Sequence, residues 1–249
     1  MKVKSIVALL GLSASLGVLA APLQPNSPAP SVINPPPGGE GSLQSIADSL
    51  FGAGHINVDT QQSSAGQWTS ATPGTTSTIP TLLAEFTANA GTQSFGIWFG
   101  TDTTNIVSYN LLLGGAVATD AVGLTISGNT LTVFGPAAGC GTHYVCNSFT
   151  DARINSSAFG FYFQPSPNSP IYYSLDQLNP GPRQDRFVAF QDGSTTNWLF
   201  AYEDGTDFDY NDMAVKVESI NAIPEPETYA MMVAGLGVMG FIARRRKSR

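Results

Sequence analysis

The stretch Trp198-Leu-Phe-Ala-Tyr202, Glu203-Asp-Gly-Thr-Asp-Phe-Asp-Tyr-Asn-Asp212, Met213-Ala-Val-Lys-Val217 decides the fold. Its outer parts are alternating runs that predict two β-strands, joined as a hairpin by the segment between them. That segment, residues 203–212, is called the acidic loop. Six of its ten side chains carry oxygen ligands: Glu203, Asp204, Asp207, Asp209, Asn211 and Asp212.

Such crowding of carboxylates indicates a hard cation. Carboxylates close together repel one another, and either raised pKa values or a divalent ion must compensate. Ca²⁺ takes six to eight oxygen ligands and is the predicted cofactor, with all six side chains as its ligands. The alternative is a loop in which Asp and Asn side chains cap their own turns and face water.

The acidic loop also repeats part of the EF-hand pattern, since Asp207, Asp209 and Asn211 stand at alternate positions and Glu218 falls at the closing position. However, Asp212 stands where that loop requires glycine, and a strand pattern follows instead of a helix. The sequence therefore excludes an EF-hand.

Working outward, short β-like runs separated by Gly, Asn, Pro, Ser and Thr predict an all-β fold for residues 42–221, a single antiparallel β-sandwich of jelly-roll-like type. Ile126-Ser-Gly-Asn-Thr-Leu131 predicts a tight hairpin, because Gly and Asn tolerate positive φ. A short helix is expected behind Ser42 as N-cap, with Leu43, Ile46, Leu50 and Phe51 at helical spacing. The other runs are 56–58, 82–86, 94–99, 106–112, 124–126, 131–134, 159–163, 171–173 and 187–190.

The N-terminal segment indicates export. Residues 1–21 have the charged start, apolar centre and small-residue exit of a secretory signal peptide for the Sec pathway, cleaved after Ala20 or Ala21. Residues 22–41 are rich in Pro and Gly and predict a linker. After export, Cys140 and Cys146 are expected to form a small-loop disulfide. A Cys140–His143 catalytic or metal pair is the rival interpretation.

The charge pattern excludes nucleic acid as a partner. The chain carries a formal net charge of −7. Between residues 42 and 221 the basic residues are only Arg153, Arg183, Arg186 and Lys216, so the mature domain is more acidic still.

The sequence predicts no enzyme. Two carboxylates such as Asp207 and Asp212 would suit a glycoside hydrolase if suitably spaced. Yet the chain has only His55 and His143, and it lacks both a Gly-x-Ser-x-Gly elbow and a phosphate-binding Gly loop.

Residues 222–249 form a second distinctive segment. Pro224, Glu225 and Pro226 precede an apolar run over 229–243, and a basic end follows with Arg244, Arg245, Arg246, Lys247 and Arg249. This order resembles the PEP-CTERM sorting signal of Gram-negative, exopolysaccharide-producing bacteria. The resemblance implies transient inner-membrane anchoring through 229–243, processing by an exosortase at Pro224, Glu225 and Pro226, and delivery to the outer surface or extracellular matrix. An ordinary membrane anchor is the alternative.

The hairpin resembles a second family. Phe200-Ala-Tyr-Glu-Asp-Gly205 followed by Asp207-x-Asp209-x-Asn211-Asp212 is similar to the signature of a bacterial extracellular domain of unknown function that often accompanies PEP-CTERM tails, although the spacer here is short. Ser94-Phe-Gly-Ile-Trp98 and Asp185-Arg-Phe-Val-Ala-Phe190 resemble earlier strands of that family, so the resemblance spans roughly 42–218. It implies a β-sandwich and suggests calcium.

Together these features predict an exported, exosortase-processed protein that serves as a calcium-binding structural or adhesive component of the cell surface or biofilm matrix. The alternative is a calcium-dependent module that binds exopolysaccharide through the ion and the aromatic residues Trp198, Tyr202, Phe208 and Tyr210. For Trp198 and Phe200, burial in the core is the favoured interpretation. A glycoside hydrolase is the third possibility.

Overall fold

The computed structural model describes most of the chain between residues 41 and 223. The described residues are 23, 24, 26, 32, 41–71, 77–86 (backbone only), 91–115, 121–135, 140–181, 185–205, 207–223, 234–236, 238 and 239. The predicted signal peptide and the motif Pro224, Glu225 and Pro226 lie outside them, as do most of the predicted linker and of the apolar tail.

The described residues between 41 and 223 form one α-helix, one 3₁₀ helix and fourteen strands. They are α1 Leu43–Phe51, β1 Gln62–Ser63, β2 Trp68–Ser70, β3 Ser77–Phe86, β4 Ser94–Gly100, β5 Ile106–Leu112, β6 Ala121–Ser127, β7 Thr130–Phe134, β8 Asn147–Thr150, β9 Gly160–Gln164, β10 Tyr172–Tyr173, the 3₁₀ helix Asp176–Leu178, β11 Phe187–Gln191, β12 Trp198–Tyr202, β13 Met213–Val217 and β14 Ile220–Ala222.

The prediction of an all-β antiparallel sandwich is confirmed. A large sheet runs β1-β11-β12-β13-β3-β6-β7-β8, a smaller sheet runs β10-β9-β4-β5, and β14 pairs with β2. Every strand pairing among the described residues is antiparallel. The predicted hairpin strands β12 and β13 lie in the middle of the large sheet, so the acidic loop leaves the sheet at its centre.

Apolar side chains from both sheets form the main core. Trp68 lies at its centre, with ring centroids 4.4 Å from Phe200, 5.7 Å from Phe187 and 6.0 Å from Phe161. Phe161 belongs to the smaller sheet and Phe200 to the large one, so these tilted and edge-on contacts join the two layers.

Helix α1 covers part of the outer face of the large sheet. The predicted N-cap is confirmed, because Ser42 Oγ accepts a hydrogen bond from Ser45 N at 3.2 Å. The helix buries its apolar side chains in a second apolar cluster, to which it contributes Leu43, Ile46 and Ala47. Strands β11, β12 and β13 contribute Val188, Leu199, Ala201 and Ala214. Leu50 and Phe51, expected on the same helix face, are only half-buried.

The prediction of a strand over 56–58 is wrong. Ile56 and Val58 are buried beneath α1, which explains their apolar character. The hydrogen bonds of their backbone are made by the Gln44 side chain and not by a neighbouring strand. Gln44 Nε2 donates to Ile56 O at 2.9 Å, and Val58 N donates to Gln44 Oε1 at 3.2 Å. The short strands β1, β2, β8 and β14 were not predicted.

The hairpin of β6 and β7 is confirmed, with Ser127 opposite Thr130. Of its two turn residues only Gly128 has a positive φ, at 55°, so Asn129 does not need the left-handed region that the sequence suggested.

Cys140 and Cys146 form a disulfide with Cα atoms 5.8 Å apart, which excludes a Cys140–His143 pair. Leu113 N donates to His143 O at 2.9 Å, and Val145 N donates to Leu111 O at 3.2 Å. The disulfide loop therefore extends the outer edge of the smaller sheet at β5 before the chain enters β8, the outer strand of the large sheet.

Described residues of the predicted linker contact the folded domain. Asn26 Nδ2 donates to Ser174 O at 2.8 Å, and Asn26 Oδ1 accepts from Asp176 N at 2.8 Å. Leu23 packs beside Trp98 on the outer side of the smaller sheet.

The close approach of β4 to its neighbours requires glycine at position 96, where a Cβ would collide with the Tyr162 ring and with the carbonyl oxygen of Tyr109. We expect Gly96→Ala to lower the free energy of unfolding by about 1 to 3 kcal/mol through overpacking. Urea denaturation measures this change. Gly91→Ala is the matched control, since a Cβ there has no neighbour within 4 Å, and an equal loss in both variants would contradict the steric explanation.

Candidate metal centre

The acidic loop connects two central strands whose register fixes its ends. Tyr202, the last residue of β12, is opposite Met213, the first residue of β13. The loop also rests on a neighbouring segment, because Glu203 N donates to Arg186 O at 3.1 Å and the Arg186 guanidinium donates to Gly205 O.

Glu203 is the centre of the loop. Its side chain has no solvent exposure. One carboxylate oxygen, Oε1, accepts from Gly205 N at 2.6 Å, and Oε2 accepts from Tyr210 N at 3.4 Å. A buried carboxylate is costly unless hydrogen bonds or opposite charge compensate it, and these two backbone donors supply only part of that compensation.

Two carboxylate groups share Glu203. One consists of Glu203, Asp207 and Asp209, and the other of Glu203, Asp204 and Asp212. Within each group, one oxygen of every residue lies within 4.8 Å of the others. The structure therefore brings five of the six predicted ligands together into a cluster that could hold a metal ion.

Asn211, the sixth predicted ligand, contacts its neighbours through its amide nitrogen. Nδ2 donates to Asp209 Oδ2 at 2.8 Å and to Gly41 O at 3.0 Å. The first bond orients the Asp209 carboxylate, and the second ties the acidic loop to the residue before the N-cap of α1. Asn211 thus links the loop to the helix.

Burial and mutual repulsion shift the pKa values of two of these carboxyls upward. The pKa of Asp212 is raised to about 8, chiefly by desolvation and also by the charges of Asp204, Glu203 and Asp209, although the hydrogen bond from Asp204 N favours ionisation. Desolvation is also the largest cause of the raised pKa of Glu203, with Asp207 and Asp209 adding to it. Asp212 and Glu203 thus hold protons at higher pH than isolated carboxyls do.

The backbone of the loop is strained at two aromatic residues. Phe208 and Tyr210 have φ values of 58° and 53°, in the left-handed region that bulky side chains rarely occupy. Tyr210 is fully buried, and its hydroxyl donates to Asp185 O at 3.3 Å. The burial and the hydrogen bond of Tyr210 offset the energetic cost of the strained backbone. The strained turns in turn allow Asp207, Asp209 and Asn211 to lie close to Glu203.

The aromatic residues of the hairpin do not form an exposed platform for sugars. Trp198, Tyr202 and Tyr210 are buried, with exposures of 2%, 0% and 0%, and Phe208 is half-buried. Core packing, favoured from the sequence for Trp198 and Phe200, is confirmed for both. The aromatic part of the polysaccharide-binding alternative is therefore wrong at this hairpin.

Three contacts of the site were not predicted. The Arg186 guanidinium donates to Gly205 O, Gln93 Nε2 donates to Asp212 O at 3.2 Å, and Asn211 Nδ2 donates to Gly41 O. They come from distant parts of the chain and act partly through backbone atoms, so no local sequence signal marks them.

The fold and site define a β-sandwich with an acidic cluster around the buried Glu203, and comparison with protein families adds two matches. Residues 146–220 match a domain of unknown function (DUF4114), and residues 222–247 match the PEP-CTERM protein-sorting motif. The first match covers β8 to β13 and the acidic loop, a shorter span than the expected 42–218. None of the curated proteins and none of the solved structures compared with the chain matches it.

The chain thus carries a PEP-CTERM sorting motif beside a DUF4114 domain, as the sequence predicted. The motif indicates an exported protein that is transiently membrane-anchored and processed by an exosortase. Among the described residues, no helix is both long enough and apolar enough to cross a membrane.

The raised pKa of Asp212 predicts a pH dependence of the metal-free domain. Because its folded pKa of about 8 exceeds the ordinary 3.8, the folded state holds this proton more tightly than the unfolded state does, and the resulting contribution to stability is fully present below about pH 4 and is lost as the pH rises to 8. We expect the melting temperature in EDTA to fall over this interval and Asp212→Asn, which keeps an acceptor for Asp204 N, to reduce the fall. A melting temperature that rises from pH 5 to 8 in both proteins would contradict this assignment.

Proposed function

We propose that this exported protein binds Ca²⁺ in the acidic loop and serves as a non-enzymatic structural or adhesive component outside the cell. The observation that carries the proposal is the pair of carboxylate groups that share the fully buried Glu203. Burial and mutual repulsion raise the pKa values of these carboxyls, so that they hold protons when no cation is bound. A cation at this position would compensate the negative charge in place of those protons.

The ligand chemistry favours Ca²⁺ over transition metals. Both groups contain only carboxylates, with no His or Cys. Hard oxygen ligands suit Ca²⁺ or Mg²⁺, and Ca²⁺ tolerates irregular geometry and accepts more ligands. Export also favours this ion, since weak extracellular calcium modules operate at the millimolar concentrations available there.

Calcium would stabilise the domain through the contacts of the loop. Asn211 joins the loop to Gly41 ahead of α1, and Arg186 joins it to the segment that leads into β11. An ion that fixes Asp207 and Asp209 against Glu203 would therefore restrain both neighbours. Domain stability would then depend on calcium, as is expected of a structural module on the cell surface.

The sorting motif supports the cell-surface part of the proposal. Ile223 N donates to Gln67 O at 3.0 Å, and Pro224, which begins the predicted Pro-Glu-Pro sequence, follows immediately. In the sequence, the predicted exosortase motif therefore directly follows the last described residue of the folded domain. After processing, a sandwich with a rigidified hairpin would remain as the mature protein.

Calorimetric titration of the full chain with Ca²⁺ tests the proposal. We expect binding that raises stability by about 2.7 kcal/mol at a hundredfold excess over Kd. Glu203→Gln is expected to abolish most of the binding heat because it removes the charge that both carboxylate groups share. Asp207→Asn/Asp209→Asn disrupts one group and Asp204→Asn/Asp212→Asn the other.

Asp59→Asn is the matched control, since Asp59 is an exposed carboxylate outside the cluster. Its titration should equal that of the unmodified chain. Equal binding heats for all variants, together with a melting temperature that is indifferent to EDTA and Ca²⁺, would refute the proposed site.

A further inference from the structure

The outer face of the large sheet has two different halves. Over β11, β12 and β13 it is covered by α1. Over β6, β7 and β8 the side chains that point away from the core carry hydroxyl groups in register. They form two rows across the three strands. One row consists of Thr125, Thr132 and Ser148, and the other of Ser127, Thr130 and Thr150. These six residues are called the hydroxyl face.

The hydroxyl face is partly open to solvent, and its residues Thr125, Thr130 and Thr132 are half-buried. Ser127, Ser148 and Thr150 are exposed, whereas the alternate residues of β6 and β7, such as Leu124 and Leu131, are buried in the core. Neighbouring strands lie about 4.8 Å apart across the sheet, and successive rows of outward-facing residues lie about 6.8 Å apart along it.

Four of the six hydroxyl groups are connected in pairs across β7 and β8 and keep further bonding capacity. Thr132 Oγ1 and Ser148 Oγ are 3.0 Å apart, and Thr130 Oγ1 and Thr150 Oγ1 are 3.3 Å apart. Each hydroxyl can donate once and accept twice, so a pair joined by a single bond retains one donor and several acceptors. The two rows therefore present donors and acceptors in fixed positions.

An aromatic side chain adjoins these rows. Phe134 is opposite Gly123, and its ring occupies the space that a side chain at position 123 would fill. The ring lies on the sheet surface next to the Thr125–Thr132 row and is 40% exposed. Among the described residues between 41 and 223, it is the single exposed large hydrophobic side chain. Such a ring can pack against the C–H face of a sugar.

The charge of this region limits the class of ligand. Residues 121–134 and 147–150 contain no Asp, Glu, Lys or Arg, although the whole chain has a net charge of −7. An anionic polymer would be repelled by the acidic domain and would find no cation on this face. An uncharged polymer with many hydroxyl groups complements it.

We propose that the hydroxyl face and Phe134 bind a neutral polysaccharide chain. One sugar ring packs on Phe134, and the hydroxyls of neighbouring sugars bond to the two rows of Thr and Ser side chains. Strand β3 separates this surface from β12 and β13, which carry the acidic loop. Binding at the hydroxyl face is therefore independent of the proposed calcium site.

Affinity electrophoresis of the full chain in a non-glycoside detergent tests this binding. Native gels contain dextran or a soluble β-glucan as neutral polysaccharides, or alginate as an anionic one. We expect retardation by at least one neutral polymer, unchanged by EDTA, and none by alginate. Thr130→Val/Thr132→Val, which keeps the side-chain shape, should weaken binding about tenfold through lost hydrogen bonds, and Phe134→Ala should weaken it similarly.

Ser148→Ala is compared with Ser108→Ala on β5 of the smaller sheet as a matched control, and only the former should lose affinity. Thermal melting identifies any variant that fails to fold. The proposal is overturned if no neutral polymer retards the chain, if the folded hydroxyl-face variants bind as the unmodified chain does, or if alginate is preferred. Loss of binding in EDTA would instead place the ligand at the acidic loop and would also overturn it.

Discussion

The buried carboxylate of Glu203 is the constraint on which the rest of the acidic loop depends. It has no solvent exposure, and among the described residues the amides of Gly205 and Tyr210 donate to it. A charge in that position requires compensation, and the other carboxylates of the loop increase the requirement because they repel it. A divalent cation would meet this requirement, and the strained backbone at Phe208 and Tyr210 holds the carboxylates close enough to share one.

The large sheet explains how one sandwich can hold two different surfaces. Its inner face contributes apolar side chains of β6, β7, β11, β12 and β13 to the main core, which the smaller sheet completes. Its outer face is covered by α1 over β11–β13, whereas over β6–β8 it presents hydroxyl side chains to solvent. The acidic loop leaves from the covered half, where Asn211 reaches Gly41 beside the helix. The two surfaces can therefore act separately.

Much of the fold could be predicted because strand patterns are local. The predicted runs at 106–112 and 187–190 correspond to β5 and to all but the last residue of β11, and Ser42 caps α1 as expected. The run at 56–58 failed because burial beneath a helix and burial in a strand select the same apolar residues, and only the contacts of Gln44 distinguish them. Short polar strands such as β1 and β8 have no pattern of their own and exist because a neighbouring strand offers hydrogen bonds.

The sequence by itself determined the strand-rich composition, the density of acids between residues 203 and 212, and the sorting motif, since each is a property of neighbouring residues. Only the tertiary structure decided that Glu203 is shared by two carboxylate groups, that Tyr210 is an anchor instead of a surface ring, and that the hydroxyls of three strands stand in register. The physical reason is that burial and cross-strand register depend on residues far apart in the chain, which local periodicity does not specify.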